Sequence, residues 1–339
     1  MSNQIDLTRL NKNLLKIFLP LFMAMSFISC SSDDEDDENI GNWVDRSIFD
    51  GTPRSGAFAF TIGNLGYMGT GFDGDDRLTD VWVYDMEGNF WSQLASFPGV
   101  PRSSAVAFTI EGNGYVGLGY DGDDELGDFY RYNVNSNTWD SITPFSGSAR
   151  RGAVGFNSET HGYVGSGFDG DNDKKDFWKF DPGTDSWTEI VGFGGNKRRD
   201  ATTFTIGNKV YFGTGISNGL NQEDFWVFDM DSEQWSSLLD LDDDDDNFIL
   251  RNNAVGFSIG DKGYFATGDA GFGASVDVWE YNPSTDLWEE KTEYEGATRQ
   301  GAVAFYNGTR AFLALGRSGT LYLDDNREFF PDQEEDEDD

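Results

Sequence analysis

Residues 102–139 read RSSAVAFTIEGNGYVGLGYDGDDELGDFYRYNVNSNTW, and residues 150–187 read RRGAVGFNSETHGYVGSGFDGDNDKKDFWKFDPGTDSW. Laid over one another they share the leading arginine, a Phe (Phe108, Phe156), a Gly-x-Gly and the final Trp. Working outward, Trp43, Trp91, Trp139, Trp187, Trp235 and Trp288 are separated by 48, 48, 48, 48 and 53 residues. The glycine motif keeps the same rhythm: Gly69-Thr70-Gly71, Gly117-Leu118-Gly119, Gly165-Ser166-Gly167, Gly213-Thr214-Gly215, then Ala266-Thr267-Gly268 and Ala314-Leu315-Gly316. Phe60, Phe108, Phe156, Phe204, Phe257 and Phe305 repeat it a third time. The one excess falls between Trp235 and Arg251, where the acidic run Asp242 to Asp246 sits. Three registers agree, so the chain is a sixfold repeat.

Within a unit, four short segments rich in aromatic and β-branched residues are separated by turn residues. Gly56 to Thr61, Tyr67 to Gly71, Val81 to Asp85 and the stretch around Trp91 are one such set. No segment carries a sustained helical period. Four strands in each of six units of this length predict an all-β fold, a six-bladed β-propeller. The first unit lacks three strands ahead of Trp43, and the last runs out near Asp324. The N-terminal strand around Trp43 is therefore expected to complete the last blade and remove its open edge.

A small-x-Gly closing the second strand, a Tyr-Asp or Phe-Asp ending the third and a Trp about six residues later resemble the kelch repeat. Gly117-Leu118-Gly119 with Tyr132-Asn133 and Trp139, and Gly165-Ser166-Gly167 with Phe180-Asp181 and Trp187, are examples. The resemblance covers residues 42–324. It departs from the family in having Gly-x-Gly where kelch units carry adjacent glycines, and Ala-x-Gly in the last two units.

Composition narrows the function. The 339 residues carry a net charge of −37, which argues against nucleic acid and against attraction to anionic lipid. A single histidine, His161, leaves the usual zinc and copper ligand sets unavailable. A single cysteine excludes an internal disulfide.

That cysteine sits at the N-terminus. Arg9, Lys12 and Lys16 precede a mostly apolar run, Ile17 to Ile28, too short to span a bilayer. The run ends Ser26-Phe27-Ile28-Ser29-Cys30, which resembles a bacterial lipobox with Phe27 in place of the usual Leu. Residues 1–29 read as a lipoprotein signal peptide, with Cys30 the lipidated residue; ordinary cleavage after Ser26 is the alternative. Residues 30–41 read as an acidic tether, 42–330 as the propeller, and 331–339 as an acidic tail without a fold of its own. The run Ser31 to Glu38 is similar to the acidic tag of surface-exported lipoproteins of the Bacteroidota; a plain spacer is the other reading. The resemblance implies an outer-membrane lipoprotein, surface-exposed or else periplasmic, touching membrane only through its anchor; the chain is expected to be a monomer.

Candidate binding residues come from the repeat. All ten tryptophans fall at two repeat positions, the six above plus Trp82, Trp178, Trp226 and Trp279, and read as blade packing. Arg54, Arg102, Arg150, Arg198, Arg251 and Arg299 keep the full rhythm and make up a quarter of the 24 basic residues. Each precedes the innermost strand of its blade, so they are expected to ring the mouth of the central channel. In kelch adaptors of ubiquitin ligases, which the repeat resembles, arginines at this position face acidic peptide ligands, and a guanidinium suits a carboxylate or sulfate. The competing reading pairs them with the acidic loops between strands two and three, such as Asp73 to Asp76 and Asp121 to Asp124. Phe72, Tyr120 and Phe168 share one loop position, where the same adaptors place pocket tyrosines; packing between loops is the alternative. Asp169, Asp171 and Asp173 are the best oxygen cluster for Ca²⁺, yet Lys174 stands where a calcium loop wants glycine, and turn chemistry alone accounts for Asp-Gly. No other cofactor is expected. The expected function is non-catalytic recognition of a protein or glycan at the arginine-bearing face. Bacterial sialic acid mutarotases, also six-bladed kelch proteins, supply the enzymatic alternative, which needs an acid/base pair near the channel.

Overall fold

A computed structural model describes residues 40–241 and 249–336. The expected signal segment, Cys30, most of the expected tether, the acidic insertion and the last three residues lie outside them.

Residue by residue the repeat becomes six four-stranded antiparallel sheets. Blade 1 is Phe58–Ile62, Leu65–Gly69, Val81–Asp85 and Phe90–Gln93. Blade 2 is Val106–Ile110, Asn113–Gly117, Phe129–Asn133 and Thr138–Ile142. Blade 3 begins with Val154–Asn157, blade 4 with Thr202–Ile206, and blade 5 with Val255–Ile259. Blade 6 takes Val303–Tyr306, Ala311–Ala314 and Asn326–Phe330 from the end of the chain, and Asn42–Asp45 from its start. Trp43 pairs with Phe329 and Asp45 with Arg327, so the expected closure by the N-terminal strand is present.

The first strands of blades 1, 2, 3, 4 and 6 turn small residues to a central cavity, among them Ala59, Ala107, Gly155, Thr203 and Ala304. Large side chains fill six cores, one between each pair of neighbouring blades. The repeated Phe supplies the wedge. Phe60 lies so close to Gly114 of the next blade that a Cβ there would sit 2.2 Å from its ring. Trp43 is fully buried against Phe257, Tyr294 and Phe329, joining the two chain ends to blade 5.

Candidate functional site

The six repeated arginines are not on an open rim. Each is fully buried. Their guanidinium groups meet a second sixfold set, Asp80, Asp128, Asp176, Asp224, Asp277 and Asp325, which stands just before the third strand. Arg150 is representative: Nη1 and Nη2 donate to the two oxygens of Asp176 at 2.7 and 2.8 Å. Its Nε donates to the Ser148 carbonyl at 3.0 Å, Nη1 also donates to the Ser166 carbonyl at 3.0 Å, and its charge lies 5.0 Å from the Phe145 ring. A forked guanidinium is the side chain that can join three chain segments in this way. The pairing half of the sequence reading therefore holds, with a correction. The partners are not the loop carboxylates Asp73–Asp76 and their equivalents but an aspartate 26 residues after each arginine. A constant Arg-to-Asp offset in all six units was the signal that could have found them.

The clasp explains the Gly-x-Gly motif. The middle residue is left-handed in every blade, with φ of 59° at Thr70, 60° at Leu118 and 56° at Ser166. Its carbonyl accepts from the arginine, and its N–H donates to the aspartate backbone in blades such as 1 and 3. The glycine that follows, Gly71 for example, donates its N–H to the carbonyl of the next blade's arginine at 2.8 Å. The same bond runs from every blade and ends with Gly316 to Arg54, so the clasps are linked in a closed circle. Burial pushes the Asp176 carboxyl up, but hydrogen bonds from Arg150 and Trp178 and the arginine's charge outweigh it and hold it below the ordinary value.

A second circle of backbone hydrogen bonds rings the axis at this end. Two residues after each arginine stand Gly56, Ser104, Gly152, Asp200, Asn253 and Gly301, all left-handed with φ between 52° and 63°. Each N–H donates to the carbonyl of the preceding blade's member, and Gly56 to Gly301 at 2.8 Å completes the collar. Asp200 is the one acid in it. Its carboxylate lies over Gly152, 2.3 Å from where a Cβ would be, and its side chain is one-fifth exposed. Burial lifts its pKa to about 6, with Asp173 adding to the rise, while Arg199, Arg151 and a hydrogen bond from Asn253 oppose it. Nothing in the repeat singled this residue out.

Outside the collar lie the three predicted aromatics, half-buried on the loops of blades 1 to 3. The structure brings them into one arc with a different set of arginines. Arg77 lies 5.1 Å from the Phe72 ring and 4.8 Å from Tyr120. Arg151 follows, 4.4 Å from Tyr120 and 5.1 Å from Phe168, and Arg199 lies 4.9 Å beyond Phe168. Arg151 pairs with Glu125 at 3.0 Å and Arg199 with Asp173 at 2.7 Å. Arg77 makes no ion pair among the described residues, and its Nε is buried without a partner. Loops thus do pack on one another, but guanidinium groups separate the rings.

The calcium candidates are engaged in similar contacts. Asp169 accepts from the N–H of Asn172 at 2.8 Å and pairs with Lys174; despite burial, these bonds hold its pKa down to about 2. Asp173 turns to Arg199, and Asp171 is exposed. Among the described residues no cluster of three or more acidic, histidine or cysteine side chains is arranged to hold a metal.

A cavity of about 240 Å³ is lined by first-strand residues, small ones such as Ala59, Ala107 and Gly155 together with Phe60, Phe108 and Phe156. Tyr306 of blade 6 reaches Thr205 of blade 4 across its far end, with its hydroxyl pKa raised to about 12 by burial.

No family model matches the chain, and no curated protein matches it. Solved structures do. One titled "Structure of YjhT" superposes with a TM-score of 0.70 over 83% of this chain and 96% of that one, at 18% identity. That likeness shows the fold. It is a six-bladed β-propeller.

Proposed function

We propose that the protein is a non-catalytic binding module, a kelch-type propeller carried at the bacterial cell envelope on a lipid at Cys30. Its recognition face is the collar end. The observation that carries this reading is a contrast between layers. Beneath that face six repeated clasps hold the backbone, while above them the loops of blades 1 to 3 differ from those of blades 4 to 6. Structural duty explains repetition, and divergence on a rigid frame is where loops carry binding. A protein or glycan is the partner class. The role first given to the six buried arginines passes to the arc of Arg77, Arg151 and Arg199, with Phe72, Tyr120 and Phe168 as flat surfaces between them. Arg77 makes no ion pair among the described residues, and its Nε is unpartnered, which suits a single anionic group small enough to pass the acidic loop tips.

The test is a panel of immobilised acidic peptides and uronate or sialate glycans, read with wild type and with Arg77→Ala/Arg151→Ala. The expected result is weaker binding in the double variant with an unchanged melting temperature. Undiminished binding in that variant would remove the arc from the reading.

Asp200 favours a second reading, an enzyme of the sialic acid mutarotase type. A carboxyl titrating near 6 between two arginines is poised to move a proton at neutral pH. Acceleration of sialic acid anomer exchange by the wild type, lost in Asp200→Asn, would select it over binding alone.

A further inference from the structure

The loop between strands two and three carries its tip at two repeat positions. In blades 1 to 3 the first is Asp75, Asp123 and Asp171, and the second is Asp76, Asp124 and Asn172. All six side chains are exposed. In blades 4 to 6 the same two positions become Gly219-Leu220, Phe272-Gly273 and Thr320-Leu321. Leu220 is 70%, Phe272 98% and Leu321 62% exposed. One half of the rim is therefore carboxylate and the other half apolar, at matching points of one ring. Large apolar side chains thus stand out in water at matching loop tips on three successive blades. Gly271 and Gly273, at φ of 95° and 126°, lift Phe272 clear of its own loop.

We infer that this rim docks a polypeptide segment in which a cationic stretch adjoins an apolar one. The inference rests on the collar end being the recognition face, and it names a partner contact outside the aromatic arc. Charge complementarity selects the partner. Five exposed carboxylates ask for lysine or arginine, and Leu220 and Leu321 ask for aliphatic or aromatic matter rather than a sugar hydroxyl. Polypeptide is the polymer that carries both side by side. An anionic bilayer would meet the apolar tips but is repelled by the carboxylates and by the net charge of −37.

The probe is a short labelled peptide with a run of lysines followed by leucines and phenylalanines, set against a lysine-only peptide and phosphatidylglycerol vesicles. Wild type should bind the two-part peptide best, and salt should weaken that binding. Replacing Asp75, Asp76, Asp123 and Asp124 by Asn should lower affinity roughly tenfold and flatten the salt dependence. Leu220→Ser/Phe272→Ser/Leu321→Ser should lower it by a similar factor, about tenfold, with the salt dependence kept. Both variants alter exposed tips only, so melting temperatures should match the wild type. Equal binding of the lysine-only peptide, wild-type affinity in both variants, or stronger binding to the vesicles would each overturn the inference. If the two-part peptide fails while Arg77→Ala/Arg151→Ala still changes binding of the anionic panel, the inference falls and the recognition face stands. Asn64 and Asn307 lie in the turns between strands one and two of blades 1 and 6, at the opposite end, where Asn307 donates to Asn64 at 2.8 Å; if the peptide is lost only on Asn64→Ala/Asn307→Ala, both fall.

Discussion

Removing Asp176 tests whether the arginine ring is architecture. In the clasp the guanidinium of Arg150 is 1% exposed, while the Asp176 carboxylate is 25% exposed. Asp176→Ala therefore strands a buried cation with two N–H groups and leaves the Trp178 Nε1–H, which donates to the same carboxylate at 2.8 Å, without its acceptor. A buried charge left alone costs about 3–5 kcal/mol. Arg150→Met leaves the other half, a carboxylate that water can reach, and should cost less, about 1–3 kcal/mol, mainly through the orphaned Ser148 and Ser166 carbonyls. The order of the two effects follows from the exposures alone. Asp123→Ala changes the charge as Asp176→Ala does, but at an exposed tip, and should shift stability by less than about 0.5 kcal/mol. Urea unfolding followed by tryptophan fluorescence reads all three variants. Equal midpoints for Asp176→Ala and Asp123→Ala would refute the clasp as a structural element. An Arg150→Met protein that melted like its parent but lost a ligand would return the ring to a binding role.

Three further outcomes are expected. Trp43→Ala should cost about 3–5 kcal/mol by opening a cavity between blades 5 and 6, and deletion of residues 40–48 should cost more; thermal melts of the two measure closure. Asp200→Asn should raise stability at pH 7–8 by roughly 1–3 kcal/mol and change little at pH 4. The sign follows because the folded pKa, about 6, lies above the unfolded one, so ionisation between the two costs stability as pH rises. The clasp aspartates behave oppositely: the folded carboxyls of Asp80 and Asp176 lie below their ordinary value, so their contribution is lost only as pH falls through that lowered value. Finally, Cys30→Ser should release the protein from membranes of the native cell, and fatty-acid labelling of the wild type should disappear with it; persistent membrane association would count against the anchor.

What the sequence revealed tracks what the fold repeats. Trp, Phe and Gly-x-Gly recur because each blade must wedge the next and turn its chain left-handed at one point, and those demands are the same six times. The arginines recurred for the same reason, but a surplus of acid hid their partners: Asp80 stands among Asp73, Asp75 and Asp76, and only its constant offset distinguishes it. The aromatic loop position was legible in Phe72, Tyr120 and Phe168. Their cations were not, since Arg77 comes from one repeat column and Arg151 and Arg199 from another. Asp200 has Gly, Ser or Asn at every equivalent position, and its perturbed titration arises from a collar that exists only after the ring has closed.

Blade 6 also imposes an order on folding. A chain emerging from its N-terminus presents Trp43 early, yet Phe329, its stacking partner, is made nearly three hundred residues later. Until then the closing strand has no sheet to join, and the two hydrogen-bonded circles lack one link each, Gly316 to Arg54 and Gly56 to Gly301. Such long-range contacts are slow to form because the chain entropy is lost before the contacts reward it. Blades 1 to 5 can stack locally as they appear, but the ring is completed in one late step. A clip at either end of the propeller should therefore act on the whole molecule, whereas a cut in a loop tip should not.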